Sequence, residues 1–448
     1  MRNGRRFRSR AAMGAGLWVL LLAVACSGGA SPTAPPAPPG DVLLVILDTT
    51  RADHLSSYGY SEITTPNLDR LAGDGTRYSN AWSQAPWTLP AVATILTGEP
   101  PYQHGAGRHE GATFPIRDDI PTLAERLQVT GYRTGAFINV IWCSPELSSL
   151  DRGFDRYDFA TSDASNVGQR SAEETTTAAI DWIDEIGSDP AFLVVHYFDP
   201  HLSYDPPAPY DGQFGGGLGR RVPPGFGSAG QVFGVRGGQI RLDERERKAL
   251  VARYDGELAY TDAQFGRLRS ELEARGRWDD ALVVVVADHG EEFWDHGGFE
   301  HGHSHHRELL RVPLIVKRPG DPGGTVAPER VRQLEIAPTV LSFAGLDSTL
   351  PGFVLGQGSA AEAIAEGSLW SGDLYSIRTD AGTLMMRRST GDTSFYAADD
   401  PGEFQSGSVD PAMPGLQERL DAIPRPRVQA PSEMTDEQRA RLKSLGYL

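Results

Sequence analysis

Cysteine is nearly absent from this chain: two residues in 448, Cys26 and Cys143. A disulfide framework needs pairs, and Cys26 falls in a leader segment. The mature chain therefore has no intramolecular bridge and must rely on its core and on any bound metal. Positive charge is also scarce. Lys plus Arg number 42 against 59 for Asp plus Glu, a formal net charge of −17, which excludes a non-specific nucleic-acid binder, since that function needs a basic footprint. An acidic balance is also awkward for an anionic substrate, unless a metal ion or local cations dominate the field at the site. There is no internal repeat, and the apolar run Ala11–Ala25 is too short for a comfortable membrane span. What is present fits a folded soluble protein: 40% hydrophobic and 9% aromatic residues, with enough length for one large α/β domain and a smaller appendage.

The first residues have the grammar of an export signal. Arg2, Arg5, Arg6, Arg8 and Arg10 precede the apolar run, which closes on Leu22-Ala23-Val24-Ala25-Cys26-Ser27. That closing stretch resembles the lipobox of bacterial lipoproteins, with Ala23 where Leu is the stronger choice. The expectation is a lipoprotein signal peptide over 1–26, a lipidated Cys26 in contact with a membrane surface, and an exported protein anchored to the bacterial cell envelope, periplasmic or at the cell surface. Ordinary cleavage nearby, or an uncleaved anchor, are the alternatives. Residues 27–40 include SPTAPPAPPG, a Pro-rich tether that cannot form a core.

Beyond the tether, three apolar runs lack polar alternation and read as strands buried on both faces: Asp41–Leu47, Ala191–Phe198 and Ala281–Ala287. Helical stretches lie between them. Thr65-Pro66 opens one helix, and Leu89–Thr97 forms a short one stopped by Gly98. Ile120–Thr130 reads as a third. Ser171 with Glu174 makes a capping box for a helix running to Ile186. Arg241–Arg275 carries Leu250, Tyr254, Leu258, Thr261, Phe265 and Leu268 at helical spacing. The alternation predicts βαβ crossovers and a mostly parallel sheet. Gly212–Gly238 reads as a surface insertion without periodic signal. From Ser368 the texture changes: Leu374–Thr379 and Thr383–Arg388, with a turn near Asp380-Ala381-Gly382, predict a small antiparallel sheet. A short helix is expected within Met434–Leu448.

The chemistry gathers where strands end. The three buried runs terminate in Asp48, Asp199-Pro200-His201 and Asp288-His289, and open α/β sheets bind ligands at the carboxyl ends of their strands. Thr88 stands at a helix N-terminus, where unpaired N–H groups favour an alkoxide or an anion; the plainer reading is an N-cap. Six of the 11 histidines fall between His289 and His306, namely His289, His296, His301, His303, His305 and His306. Such a tract is either a metal-binding loop or a solvated one. Carboxylate, imidazole and hydroxyl ligands suit zinc or manganese, and an all-oxygen set suits calcium or magnesium.

These residues sit in stretches that carry a family likeness: LDTTRADHLSSYGY, TTPNLDRLAGDGTRYSNA, PWTLPAVATILTG, GYRTGAF, LDRGFDRYDF, HYFDPH, YDGELAYTD, ADHGEEFWDHGGFEHGHS and RVPLIVKRPG, followed by FYAADDPGE and LKSLGYL. The chain resembles the sulfatase family of the alkaline phosphatase superfamily. The resemblance implies an alkaline-phosphatase-like large, mostly parallel sheet sandwiched by helices over 41–350, and a small antiparallel sheet in a C-terminal subdomain over 351–448. It implies metal ligation by Asp48, Thr88, Asp288 and His289, with calcium, manganese or zinc as the cation. Thr88 matches the nucleophile. His201, His296 and His303 match positions that bind the anionic ester, and His201 and His303 those that protonate its leaving group.

The departures are chemical. The family's Cys/Ser-x-Pro-x-Arg motif, whose first residue is oxidised to formylglycine, is here Thr88-Leu89-Pro90-Ala91-Val92. Threonine carries a methyl on its β-carbon and cannot become formylglycine. The usual Asp-Asp pair is Asp48-Thr49, and the usual Asp-Asn is Asp288-His289. The set resembles the Thr-nucleophile phosphodiesterases and phosphotransferases of the superfamily. The expected activity is hydrolysis of a small-molecule, glycan or lipid sulfate or phosphate ester. Phosphodiesterase or phosphonate hydrolase activity, phosphotransfer to a lipid or glycan acceptor, and a catalytically silent binding protein are the alternatives.

Overall fold

The computed structural model describes residues 38–159, 170–221, 223, 225–370, 372–407 and 413–444. The leader, Cys26, most of the tether and the last four residues, Leu445 among them, lie outside the described residues. The three apolar runs form β1 (Val42–Leu47), β5 (Ala191–Tyr197) and β6 (Leu282–Ala287), and every residue in them is buried. The remaining strands of the sheet are β2 (Thr76–Trp82), β3 (Arg133–Ile138), β4 (Arg156–Phe159), β7 (Arg311–Lys317) and β8 (Thr325–Arg332). The spatial order is β8-β2-β7-β6-β1-β5-β3-β4. Strand β1 pairs in parallel with both β5 and β6, so the strands read as fully buried from sequence occupy the centre of the sheet, where both faces are covered. Strand β7 alone runs antiparallel to its neighbours β2 and β6. Its register shifts between Val312 and Leu314, at Pro313, which has no N–H to offer the ladder.

The helices begin where their caps predict. Helix α1 (Pro66–Asp74) has Thr65 at its N-cap and Pro66 in its first turn. Helix α3 (Ala172–Ile186) closes the Ser171–Glu174 capping box. Helix α4 (Glu244–Ala274) is capped by Asp243 and Glu246, and the six residues read as its apolar face are all buried. Helix α2 (Thr88–Thr97), which precedes α3 in the chain, is buried at every residue and ends on Gly98 in the left-handed region at φ 72°. Trp87, not Thr88, holds its N-cap position, and no side chain caps it. The N-cap reading of Thr88 therefore fails: its hydroxyl is not spent on its own helix.

The Gly-rich insertion is more ordered than its composition suggested. It contains a helix at Ala229–Arg236, and Phe226 and Val232 pack with Leu202, Tyr204, Leu250, Tyr254 and Phe299. The spacing of two apolar contacts is too sparse to register as helical period, yet tertiary burial suffices to order the segment. The small sheet has four antiparallel strands in sequence order: β9 (Ala363–Glu366), β10 (Leu374–Thr379), β11 (Gly382–Arg387) and β12 (Asp392–Ala397). The two hairpin strands match the sequence reading, and the outer two are additions. Both sheets belong to one unit, Pro36–Leu448. The closing helix spans Asp436–Ser444 and buries Leu442.

Candidate active site

Register brings the acidic strand ends together. Leu47 pairs with Tyr197 on one side and Ala287 on the other, so Asp48, Phe198 and Asp288 leave the sheet at one level. The next turns are fixed by hydrogen bonds. Thr49 adopts φ 46°, outside the usual range for a β-branched residue, and its N–H donates to Asp288 Oδ1 at 3.2 Å. The N–H of His289 donates to the same oxygen at 2.7 Å. From α4, the Tyr254 hydroxyl donates to Thr49 O at 2.9 Å and accepts from Arg51 N at 2.8 Å, which clamps the loop after β1. Gly290 is needed for close approach: a Cβ there would fall 1.9 Å from Glu308 O, and its N–H donates to Leu309 O at 2.8 Å.

The result is a buried cluster around one imidazole nitrogen. Nδ1 of His289 lies 2.9 Å from Gly290 O, which can only accept, so that nitrogen carries the proton. Burial, reinforced by His301, holds the His289 pKa well below the ordinary value. Nε2 of the neutral ring is thus a bare acceptor, and the Thr88 hydroxyl donates to it at 3.3 Å. The same Nε2 lies 3.4 Å from Asp288 Oδ2 and 3.7 Å from Asp48 Oδ1. On the far side of Asp48, His196 Nε2 lies 3.8 Å from Oδ2.

This donor set fits a divalent cation. Both oxygens of Asp48, Oδ2 of Asp288 and both ring nitrogens of His196 are buried without a hydrogen-bond partner. Buried polar groups are otherwise almost always paired, because an unmet one costs its full desolvation penalty. Asp48 and Asp288 are held well above the usual carboxylate range, first by burial and then, for Asp48, by repulsion from Asp288 and Glu291. Asp48, His196 and Asp288 each offer one ligand atom within 4.8 Å of the others. A cation would satisfy these atoms and neutralise the paired charge.

Two further rings close the cluster. His301 lies with its ring centroid 4.6 Å from that of His289 and 4.9 Å from that of His201. Glu291 joins His301 to Tyr204: Oε1 is 3.0 Å from His301 Nδ1, and Oε2 accepts from the Tyr204 hydroxyl at 2.8 Å. Burial pushes Glu291 up to about 8, against the lowering effect of the Tyr204 bond. Nδ1 of His201 donates to Leu202 O at 2.7 Å, and burial beside His301 keeps this ring's pKa well below the ordinary value.

Asp48, Thr88, Asp288 and His289, predicted from sequence as a set, meet here, and His201 joins them through His301. His296 and His303 hydrogen-bond to other partners. His296 bonds Glu308 Oε1 at 2.7 Å and Glu403 O at 2.9 Å, and its ring stacks on His306. His303 bonds Glu292 Oε2 at 2.7 Å. Neither hydrogen-bonds to the Thr88 cluster. Desolvation pushes the Asp199 carboxyl up to about 6. Its Oδ2 accepts from Ala172 N at 2.9 Å, at the start of α3, so it shapes the loop carrying His201. Sequence reasoning missed His196, Glu291 and the special place of His301. His196 was hidden in the apolar run of β5, where a polar residue in a fully buried strand was the available signal. His301 was visible only as one of six tract histidines.

Comparison with known proteins identifies the family. Residues 40–346 match the family model described as Sulfatase. Among curated relatives, the chain is 25% identical over 386 residues to the multifunctional alkaline phosphatase superfamily protein PehA of Trinickia caryophylli, covering 68% of this chain and 74% of the relative. It is 24% identical over 362 residues to an arylsulfatase of Clostridium perfringens, with the same coverage of 68% and 74%. Among solved structures, the phosphonate monoester hydrolase of Agrobacterium radiobacter superposes with a TM-score of 0.69 at 22% identity, covering 86% of this chain and 95% of that one. With a match over two thirds of its length, and with the fold those structures share, the chain belongs to the sulfatase family and is a hydrolase acting on ester bonds.

Proposed function

We propose that this protein is a metal-dependent hydrolase of sulfate, phosphate or phosphonate esters that works through a covalent ester of Thr88. The observation that carries the reading is the Thr88 hydroxyl, free of any capping duty, bonded to His289 Nε2 at 3.3 Å beside two carboxylates with unmet oxygens. Asp48, Asp288 and His289, with His196 behind Asp48, would hold a divalent cation, which would lower the pKa of the Thr88 hydroxyl. Thr88 Oγ1 forms the bond to sulfur or phosphorus as the ester oxygen leaves, and its proton passes to a neutral imidazole of the cluster. His301, oriented by Glu291 and Tyr204, protonates the leaving oxygen. Water then attacks the Thr88 ester and gives a proton to His301, restoring the acid; the imidazole that took the Thr88 proton returns it to Oγ1 as that bond breaks, and the inorganic or phosphonic acid anion is released. His201 stabilises charge on the transferring group. His303 and His296 contribute more remotely, through Glu292 and Glu308.

The side chain of Thr88 favours phosphorus over sulfur. Formylglycine hydrate releases sulfate by elimination, whereas a Thr ester must be displaced directly, which phosphoryl esters undergo readily. The phosphonate monoester hydrolase likeness supports the same preference. The leader supports an exported protein tethered by lipidated Cys26, a placement that suits lipid or glycan esters as substrates. The deciding experiment compares aryl sulfate, phosphate monoester, phosphodiester and phosphonate substrates across several divalent metals, in wild type and Thr88→Ala. Normal turnover by Thr88→Ala would overturn the nucleophile, and preferential sulfate turnover would overturn the preference for phosphorus.

A further inference from the structure

Two aromatic rings stand uncovered beside the peptide that carries His301. Phe233, on the helix Ala229–Arg236, is 44% exposed, and Trp370 is 39% exposed. Their centroids are 6.2 Å apart with the rings inclined at 63°. The guanidinium of Arg236 lies 5.3 Å from the Trp370 centroid and fixes that ring by a cation–π contact. Of the large apolar side chains exposed among the described residues, this is the one pair in ring contact with each other.

Both rings hang on the peptide that carries His301. Arg236 donates through Nε to Phe299 O at 3.1 Å and through Nη2 to His301 O at 2.9 Å, and it pairs with Glu300. From the other side, Leu369 N donates to Gly302 O at 2.8 Å. The insertion and the segment before β10, far apart in sequence, thus converge on the peptide 299–302, whose His301 ring packs against His289. Folding gains little from leaving two such surfaces wet, and exposed aromatic patches of this kind mark binding sites.

We propose that Phe233 and Trp370 form the platform that holds a ring-bearing leaving group, aryl or pyranosyl, while its ester is cleaved at Thr88. The two sources share one chemistry, a flat apolar ring face that stacks on an aromatic side chain. The proposal rests on the hydrolase reading above for the position of the reacting centre, and a binding measurement that needs no turnover separates the two. The full chain, with its divalent metal supplied, is titrated with phenol and with a methyl pyranoside, the alcohols the two substrate types would release. Wild type, Thr88→Ala, Phe233→Ala, Trp370→Ala and Trp370→Phe are compared. At least one alcohol is expected to bind wild type and Thr88→Ala alike, about tenfold more weakly to Trp370→Ala and Phe233→Ala, with recovery in Trp370→Phe, because one stacked ring is worth roughly that factor. The alcohol that responds names the source. In turnover, KM for the matching ester rises by the same factor while that of a methyl ester stays put. Equal binding to wild type and both alanine variants, or equal loss for methyl and ring-bearing esters, would overturn the platform. Activity in Thr88→Ala would overturn only the nucleophile.

Discussion

The Thr88 hydroxyl and Nε2 of His289 face each other at 3.3 Å, across 201 residues of sequence. The bond exists because Gly290 O takes the other ring nitrogen and because Trp87, not Thr88, occupies the N-cap of α2. A hydroxyl so placed is tested by conservative exchange. Thr88→Ser keeps the nucleophilic oxygen and should retain activity within about tenfold, whereas Thr88→Ala should lose on the order of a thousandfold or more. Steady-state kinetics decides this, and peptide mass spectrometry after quenching with a slow substrate should find the adduct on Thr88.

Metal should stabilise the fold as well as activate it. Unmet oxygens of Asp48 and Asp288 repel each other without a cation, so chelation should lower the thermal midpoint and readdition should restore it. At a free metal concentration of about 100 times Kd, the gain is about 2.7 kcal/mol. Asp48→Asn should abolish the metal-dependent shift; an undiminished shift would remove Asp48 from the ligand set.

His301 and His303 should separate in kinetics. His301 touches the rings of His289 and His201, while His303 is bound to Glu292. His301→Ala should reduce kcat by about two orders of magnitude or more, the usual scale for losing a proton donor, and His303→Ala by less than about tenfold. The deficit of His301→Ala should shrink with substrates whose leaving groups need no proton. Equal deficits in the two variants would overturn the assignment.

Glu366, at the end of β9, gives a pH prediction on a residue outside the metal-ligand set. Burial pushes its pKa from 4.5 up to about 8. The folded protein keeps this proton where the unfolded chain has lost it. Its contribution to stability is therefore full below about pH 4.5, falls as pH rises towards 8, and is flat above. Glu366→Gln, neutral throughout, should gain stability relative to wild type across that window, by on the order of a few kcal/mol at its upper end. Denaturant unfolding of the metal-saturated protein at several pH values measures it, and a pH-independent difference would refute it.

Gly290→Ala should damage the site through the backbone. The added Cβ would meet Glu308 O at 1.9 Å, and backbone on both sides leaves no flexible neighbour to yield. Overpacking of this kind costs about 1–3 kcal/mol. Because His289 is the adjacent residue, activity should fall further than the shift in urea midpoint explains. A fully active, equally stable variant would show that the loop has room to move.

Much of this was legible in one dimension because buried strands and capped helices write local signals. Val283–Val286 has no polar alternation, and it is central, pairing in parallel with β1. Ser171 with Glu174, and Pro66 after Thr65, marked helix starts to the residue. The antiparallel sense of β7 was not legible, since direction depends on the path of the connecting chain. The order of the Gly-rich insertion was hidden for a related reason: Phe226 and Val232 are anchored by partners on α4 and near Phe299 that no local window contains.

The chain by itself determined that acids end three buried strands, that a threonine stands where formylglycine would otherwise form, and that histidines crowd one loop. These are facts of residue type and spacing, which sequence records completely. Only the tertiary structure decided which further histidines join the cluster around His289. His196 reaches Asp48 because parallel register aligns β1, β5 and β6, and His301 reaches the ring of His289 while bonded to Glu291. His296 and His303 are instead held by Glu308 and Glu292. Each of these three rings of the tract is aimed by a glutamate ten to twelve residues away in the chain, and which glutamate it meets depends on how the loop folds back, which no local propensity records.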